Sequence, residues 1–63
     1  MEEALLFVER MGGTASIDEV FVHCQETMHD PPTERGLRDF FNRYDDEGFL
    51  YYNKKNKMIY LNR

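Results

Sequence analysis

Residues 37–61 read LRDFFNRYDDEGFLYYNKKNKMIYL, and this stretch decides the fold. Leu37, Phe40, Phe41 and Tyr44 recur at i, i+3, i+4 and i+7, the spacing that puts four side chains on one face of a helix. Gly48 then supplies a residue free to take positive φ, which is how many helices stop. Two short runs rich in aromatic and β-branched residues follow, FLYY and MIYL, separated by the polar NKKNK. Such a pair reads as a β-hairpin whose tip is basic.

Working back toward the N-terminus, two more helices are legible. Ser16 and Glu19 have the spacing of a capping box, in which each side chain satisfies a backbone N–H at the helix start. Ile17, Val20, Phe21, Cys24 and Met28 continue the apolar stripe behind it. His29-Asp30-Pro31-Pro32 stops that helix, because proline lacks the N–H a helix needs and drives its predecessor out of the α region. Thr33 is the expected N-cap of the third helix, which should run to about Glu47. Glu34–Arg38 and Asp39–Arg43 within it are spaced as i, i+4 ion pairs. The first helix opens with Glu2 and Glu3, where the helix dipole favours acids. It carries Ala4, Leu5, Phe7, Val8 and Met11 inward and ends at Gly12-Gly13, with Arg10 in its last turn. Thr14-Ala15 is a short extended link. Methionines 11, 28 and 58 are placed in the core.

The expected class is therefore α+β, three helices followed by a hairpin. The opening Ile17-Asp18-Glu19-Val20 of the second helix, the stripe of the third, and DDEGFLYY…MIYL resemble the winged-helix superfamily over essentially the whole chain. That resemblance implies that the segment at Thr14-Ala15 forms a small strand beside the hairpin, and that the hairpin is a wing. Within the superfamily, Leu37, Phe40, Phe41, Gly48, Phe49 and Leu50 are similar to a pattern in C-terminal winged-helix domains of replication proteins. These include archaeal-type origin-recognition initiators, minichromosome maintenance helicases and the middle subunit of replication protein A. Transcription regulators carry similar patterns.

Size and charge narrow the function. Sixty-three residues make one domain, and a chain this short buries only about 60% of its unfolded surface, leaving no room for a second lobe and little for an enclosed substrate cavity. The chain has no tail at either end, which suggests a piece of a longer protein with Met1 an addition. Its longest apolar run, Ala4 to Val8, is too short for a membrane span. One cysteine, Cys24, rules out an internal disulfide and fits a reducing, intracellular setting, the nucleus in a eukaryote and otherwise the cytoplasm. Net charge is −4 but uneven: residues 1–30 hold seven acids against Arg10, while residues 31–63 hold seven bases against five acids.

Enzymatic chemistry finds no support in the sequence. His23 and Cys24 are neighbours on a helix, about 100° apart, and poorly placed as a nucleophile–base pair. One cysteine and two histidines without paired spacing do not make a zinc site. Asp45-Asp46-Glu47 lacks the alternation of a calcium loop, and no phosphate-binding or dinucleotide motif is present. No catalytic residue, metal, cofactor or small-molecule substrate is expected. The acidic triplet sits where a helix end disfavours acids, which hints at a purpose such as a basic partner.

Two binding roles remain open. The winged-helix resemblance implies that the third helix enters the DNA major groove while the wing touches phosphates. Arg35, Arg38, Asn42 and Arg43 would then meet the duplex, and arginine and asparagine are the side chains that read guanine and adenine edges. Lys54, Lys55 and Lys57 would meet phosphates. Asp39, Asp45, Asp46 and Glu47 on the same helix limit affinity to the non-specific range, with Kd at or above about 10⁻⁴–10⁻⁶ M. The alternative is docking onto a protein, through the aromatic hairpin face or the mixed-charge third helix. Side chains alternate faces along a strand, so the hairpin aromatics cannot all point inward, and Tyr51, Tyr52 and Tyr60 are the candidates for a partner surface.

Overall fold

Both expected glycine stops are built the same way. At the end of the first helix Gly13 N–H donates to the Val8 carbonyl at 3.0 Å and Gly12 N–H to Glu9 at 3.1 Å. At the end of the third, Phe49 N–H reaches the Tyr44 carbonyl at 3.0 Å and Gly48 N–H reaches Asp45 at 2.9 Å. These crossed bonds are the Schellman arrangement, which needs a positive-φ residue just past the helix; Gly12 and Gly48 take φ of 92° and 86°. The apolar contact that accompanies the motif is present at the second site, where the Phe49 and Tyr44 rings lie 5.5 Å apart.

The computed structural model describes residues 2–61, and Met1, read above as an addition, lies outside them. The elements follow in the order α1 (Glu2–Arg10), β1 (Thr14–Ser16), α2 (Ile17–Thr27), α3 (Glu34–Asp46), β2 (Leu50–Asn53) and β3 (Met58–Leu61). The architecture is the expected α+β one: three helices, and a hairpin extended to three antiparallel strands in the order β1-β3-β2. Ser16 and Glu19 close the capping box of α2 in both directions. Thr33 caps α3, its hydroxyl accepting Gly36 N–H at 3.0 Å. No helix among the described residues is long and apolar enough to cross a membrane.

Strand β1 realises the small strand that the winged-helix resemblance implied. Thr14, Ala15 and Ser16 pair with Tyr60, Ile59 and Met58. On the other side of β3, Leu50, Tyr51, Tyr52 and Asn53 pair with Leu61, Tyr60, Ile59 and Met58. Alternation then sorts the sheet. Ala15, Leu50, Tyr52 and Ile59 are buried, whereas Thr14, Tyr51 and Tyr60 are exposed. The inward row meets Val8, Ile17, Val20, Cys24, Leu37 and Phe41, each with no accessible surface. Cys24 is thus core packing.

Four expectations are corrected. Met11 is 47% exposed, because α1 has already closed at Arg10 and the helical period no longer governs the next side chain. The first hairpin strand starts at Leu50, since Phe49 belongs to the helix stop and is 61% exposed. Asn53 pairs with Met58, so the turn is four residues long, not five. Neither Glu34–Arg38 nor Asp39–Arg43 closes to 4.0 Å; Glu34 turns to Lys57 of the wing instead.

Candidate nucleic-acid interface

Burial of Leu37 and Phe41 fixes the rotation of α3 about its axis. With about 100° between successive residues, Arg38, Asn42 and Arg35 come out on one flank, together with Glu34 and Asp45. The wing lies against that flank and is tied to it near both ends of the helix. Lys57 Nζ stands 3.8 Å from Glu34 Oε1. Tyr52 N–H donates to Asp45 Oδ2 at 3.1 Å. The second tie gives the acidic triplet part of its purpose. Strand β2 is a sheet edge, and Asp45 satisfies an edge N–H that pairs with no strand. It is a local role, met without any basic partner.

Between the two ties lies a cleft of about 250 Å³ lined by Arg38, Asp39, Asn42, Tyr52, Lys54 and Lys57. The wing turn beside it is held by its own side chains. Asn53 Oδ1 accepts N–H from Lys55 at 3.0 Å and from Asn56 at 3.4 Å, while Asn56 Oδ1 accepts Met58 N–H at 3.1 Å. Ile17 N–H donates to the Lys57 carbonyl at 2.9 Å, so the base of the wing is fastened to the start of α2. A turn ordered in this way presents its lysines without a further cost of ordering the backbone.

Burial pushes the Tyr52 phenol above its ordinary range, with Arg38 pulling the other way and Glu34 adding a smaller upward push. The hydroxyl therefore stays neutral and can both donate and accept. Among the described residues Arg35, Arg38, Arg43, Lys54 and Lys55 form no ion pair within 4.0 Å, whereas Lys57 is engaged by Glu34.

Of the seven residues expected at a duplex, the structure gathers Arg38, Asn42, Lys54 and Lys57. Arg35 and Lys55 are exposed and lie outside the cleft lining. Arg43, exposed like them, lies about 100° further round the helix than Asn42 and is likewise outside the lining. Of the three tyrosines expected at a partner surface, Tyr52 is a correction. It is only 5% exposed, because its alternation points it into the core beside Ile59. Tyr51 and Tyr60 do face outward, 54% and 36% exposed, with rings stacked 5.9 Å apart across the ladder. Sequence reasoning missed the clamping roles of Glu34 and Asp45. The only signal for Asp45 was its unfavourable position at the helix end.

Comparison with protein families, with curated proteins and with solved structures found no match in any of the three.

Chemically, the cleft offers a planar guanidinium, an amide and two ammonium groups around one carboxylate, with the buried Tyr52 as part of its wall. That set suits hydrogen bonding to base edges and contact with phosphates. Residues 33–57 carry six basic and five acidic side chains, so local attraction to a polyanion is small.

Proposed function

We propose that this chain is a winged-helix module that binds duplex DNA weakly through α3 and the wing, as an accessory part of an intracellular DNA-processing protein of replication or transcription. The observation that supports this reading is the joint lining of one cleft by Arg38, Asn42, Lys54 and Lys57. Two of these sit on a helix rotated by its own core residues, and two on a turn ordered by asparagine side chains. Arg38, Lys54 and Lys55, unpaired, would each contact a phosphate, with Lys57 partly neutralised by Glu34.

Three phosphate contacts give a definite salt dependence. At about 0.9 counterions released per contact, affinity falls roughly 40-fold between 50 and 200 mM salt. Replacing Lys54 and Lys55 by alanine leaves one contact, and the fall shrinks to about 3–4-fold. Arg38→Ala weakens binding and lowers the slope by about one unit. Fluorescence anisotropy on a labelled duplex reads both. Unchanged affinity and slope in both variants would remove DNA from this surface.

A second reading rests on the sheet's outer face. The stacked, exposed Tyr51–Tyr60 pair is suited to a protein partner, since tyrosine is enriched at interface centres. In that case replacing Tyr51 or Tyr60 abolishes partner capture while Arg38→Ala has no effect.

A further inference from the structure

A groove of about 410 Å³, larger than the α3–wing cleft and sharing no residue with it, runs between α1 and α2. Its walls are Phe7 of α1 and Asp18, Glu19, Val22, His23 and Glu26 of α2. The Phe7 and His23 rings stack 4.3 Å apart. His23 is held there by Glu3, whose Oε1 lies 3.0 Å from Nε2. Asp18, Val22 and Glu26 follow one another at four-residue steps, so they form a single stripe along the outer side of α2. At the middle of that stripe Val22 is 53% exposed.

Helix physics alone accounts for half of this pattern. Asp18 and Glu19 lie in the first turn of α2, where the dipole favours acids, and Glu19 also accepts the Ser16 N–H. Glu26 is in the last turn, where the dipole disfavours an acid, and no basic residue accompanies it there. Nor does capping call for an exposed valine between two carboxylates. Asp18 and Glu26 have no cation within 4.0 Å among the described residues, and Arg10 is directed to Glu3. An apolar floor under an unneutralised acidic rim is complementary to a segment with the reverse charge.

We infer that the α1–α2 groove docks a basic amphipathic helical segment of a protein partner. One apolar side chain of that segment packs over Phe7 and Val22. Its lysines or arginines, one turn to either side, meet Asp18 and Glu26. Eight residues of α2 separate those carboxylates by about 12 Å, two turns of a facing helix. A nucleic acid is repelled from the same rim. The domain thereby carries two hollows with no shared lining residue, one rich in cations between α3 and the wing and one rimmed by acids between α1 and α2.

The test is an amide NMR titration of the labelled chain with a synthetic helical peptide bearing one leucine flanked by lysines four residues to either side. A peptide of the same composition in scrambled order is the control. Shifts centred on Phe7, Val22, His23 and Glu26 with the ordered peptide, and at least about tenfold weaker binding of the scrambled one, are expected. Val22→Ser, and Asp18→Asn with Glu26→Gln, should each weaken binding about tenfold. Asp46→Asn with Glu47→Gln, which removes the same charge elsewhere, should change it less than about twofold. All these positions are exposed, and a melting curve for each variant checks that the fold is retained. Equal binding of the scrambled peptide, or equal loss in the Asp46/Glu47 variant, would overturn the inference in favour of general charge attraction. Shifts at the groove that grow with protein concentration alone would overturn it in favour of a second copy, whose basic wing would be the occupant.

Discussion

Asp45→Ala should leave the domain less stable than Asp46→Ala, although the two residues are adjacent and carry the same charge at the same helix end. Both substitutions relieve an unfavourable acid in the last turn of α3, worth about 0.3–1 kcal/mol, and both gain alanine's helix propensity. Only Asp45 accepts the Tyr52 N–H, at 3.1 Å. A hydrogen bond to a charged group contributes about 1.5–3 kcal/mol, and Asp45 is half-buried, so the lower end applies. Subtracting one variant from the other cancels dipole and propensity and leaves that bond, about 1.5 kcal/mol. In a domain of this size it corresponds to a gap of roughly 6–12 °C in Tm, with Asp46→Ala the more stable. Asp45→Asn keeps an oxygen acceptor without the charge and should fall between them. Thermal and urea unfolding of the three variants, followed by circular dichroism, measure the gap. If Asp45→Ala melts with Asp46→Ala or above it, the edge N–H is not held by this carboxylate and the wing is anchored some other way.

Two further outcomes follow from the fold. Gly48 sits at φ 86° with nothing within 4 Å of where a Cβ would stand, so Gly48→Ala is penalised by backbone conformation alone. It should lose about 1–2 kcal/mol in urea unfolding, and no loss would mean that the Schellman turn is not formed. Burial, aided by the negative charge of Glu3, raises the Cys24 thiol above its ordinary 9.0. The folded state then holds this proton more tightly than the unfolded chain. Its contribution to stability is complete below about pH 9 and is lost as pH climbs through the folded value. Alkylation at pH 8 should accordingly be slow in the native domain and fast in urea; equal rates would contradict the buried placement.

Local signals carried most of the fold. The capping box at Ser16, the N-cap at Thr33, the stops at Gly12-Gly13 and Gly48, and the hairpin all depend on interactions within a few residues, which spacing reveals. The errors arise where a local rule meets a tertiary competitor. Met11 continued a periodic stripe after the helix had closed. Glu34 had a suitable partner four residues on in Arg38, yet a wing lysine was nearer. Three residues are too few for β1 to announce itself by pattern, and only the resemblance pointed to it. The site was half legible for the same reason. The identity of the basic residues was plain, but which of them converge depends on the rotation of α3, set by Leu37 and Phe41, and on the two ties to the wing. The α1–α2 groove had no signature in sequence, because its walls come from two helices and its acids looked like ordinary surface.

Contact of duplex DNA with the cleft between α3 and the wing is tested most directly by an amide NMR titration of the labelled chain with a random-sequence duplex. Shifts are expected at Arg35, Arg38, Asn42 and residues 53–57 in about 50 mM salt, fading as salt is raised to about 200 mM. Absence of shifts at the lower salt, or shifts confined to Tyr51 and Tyr60, would contradict it.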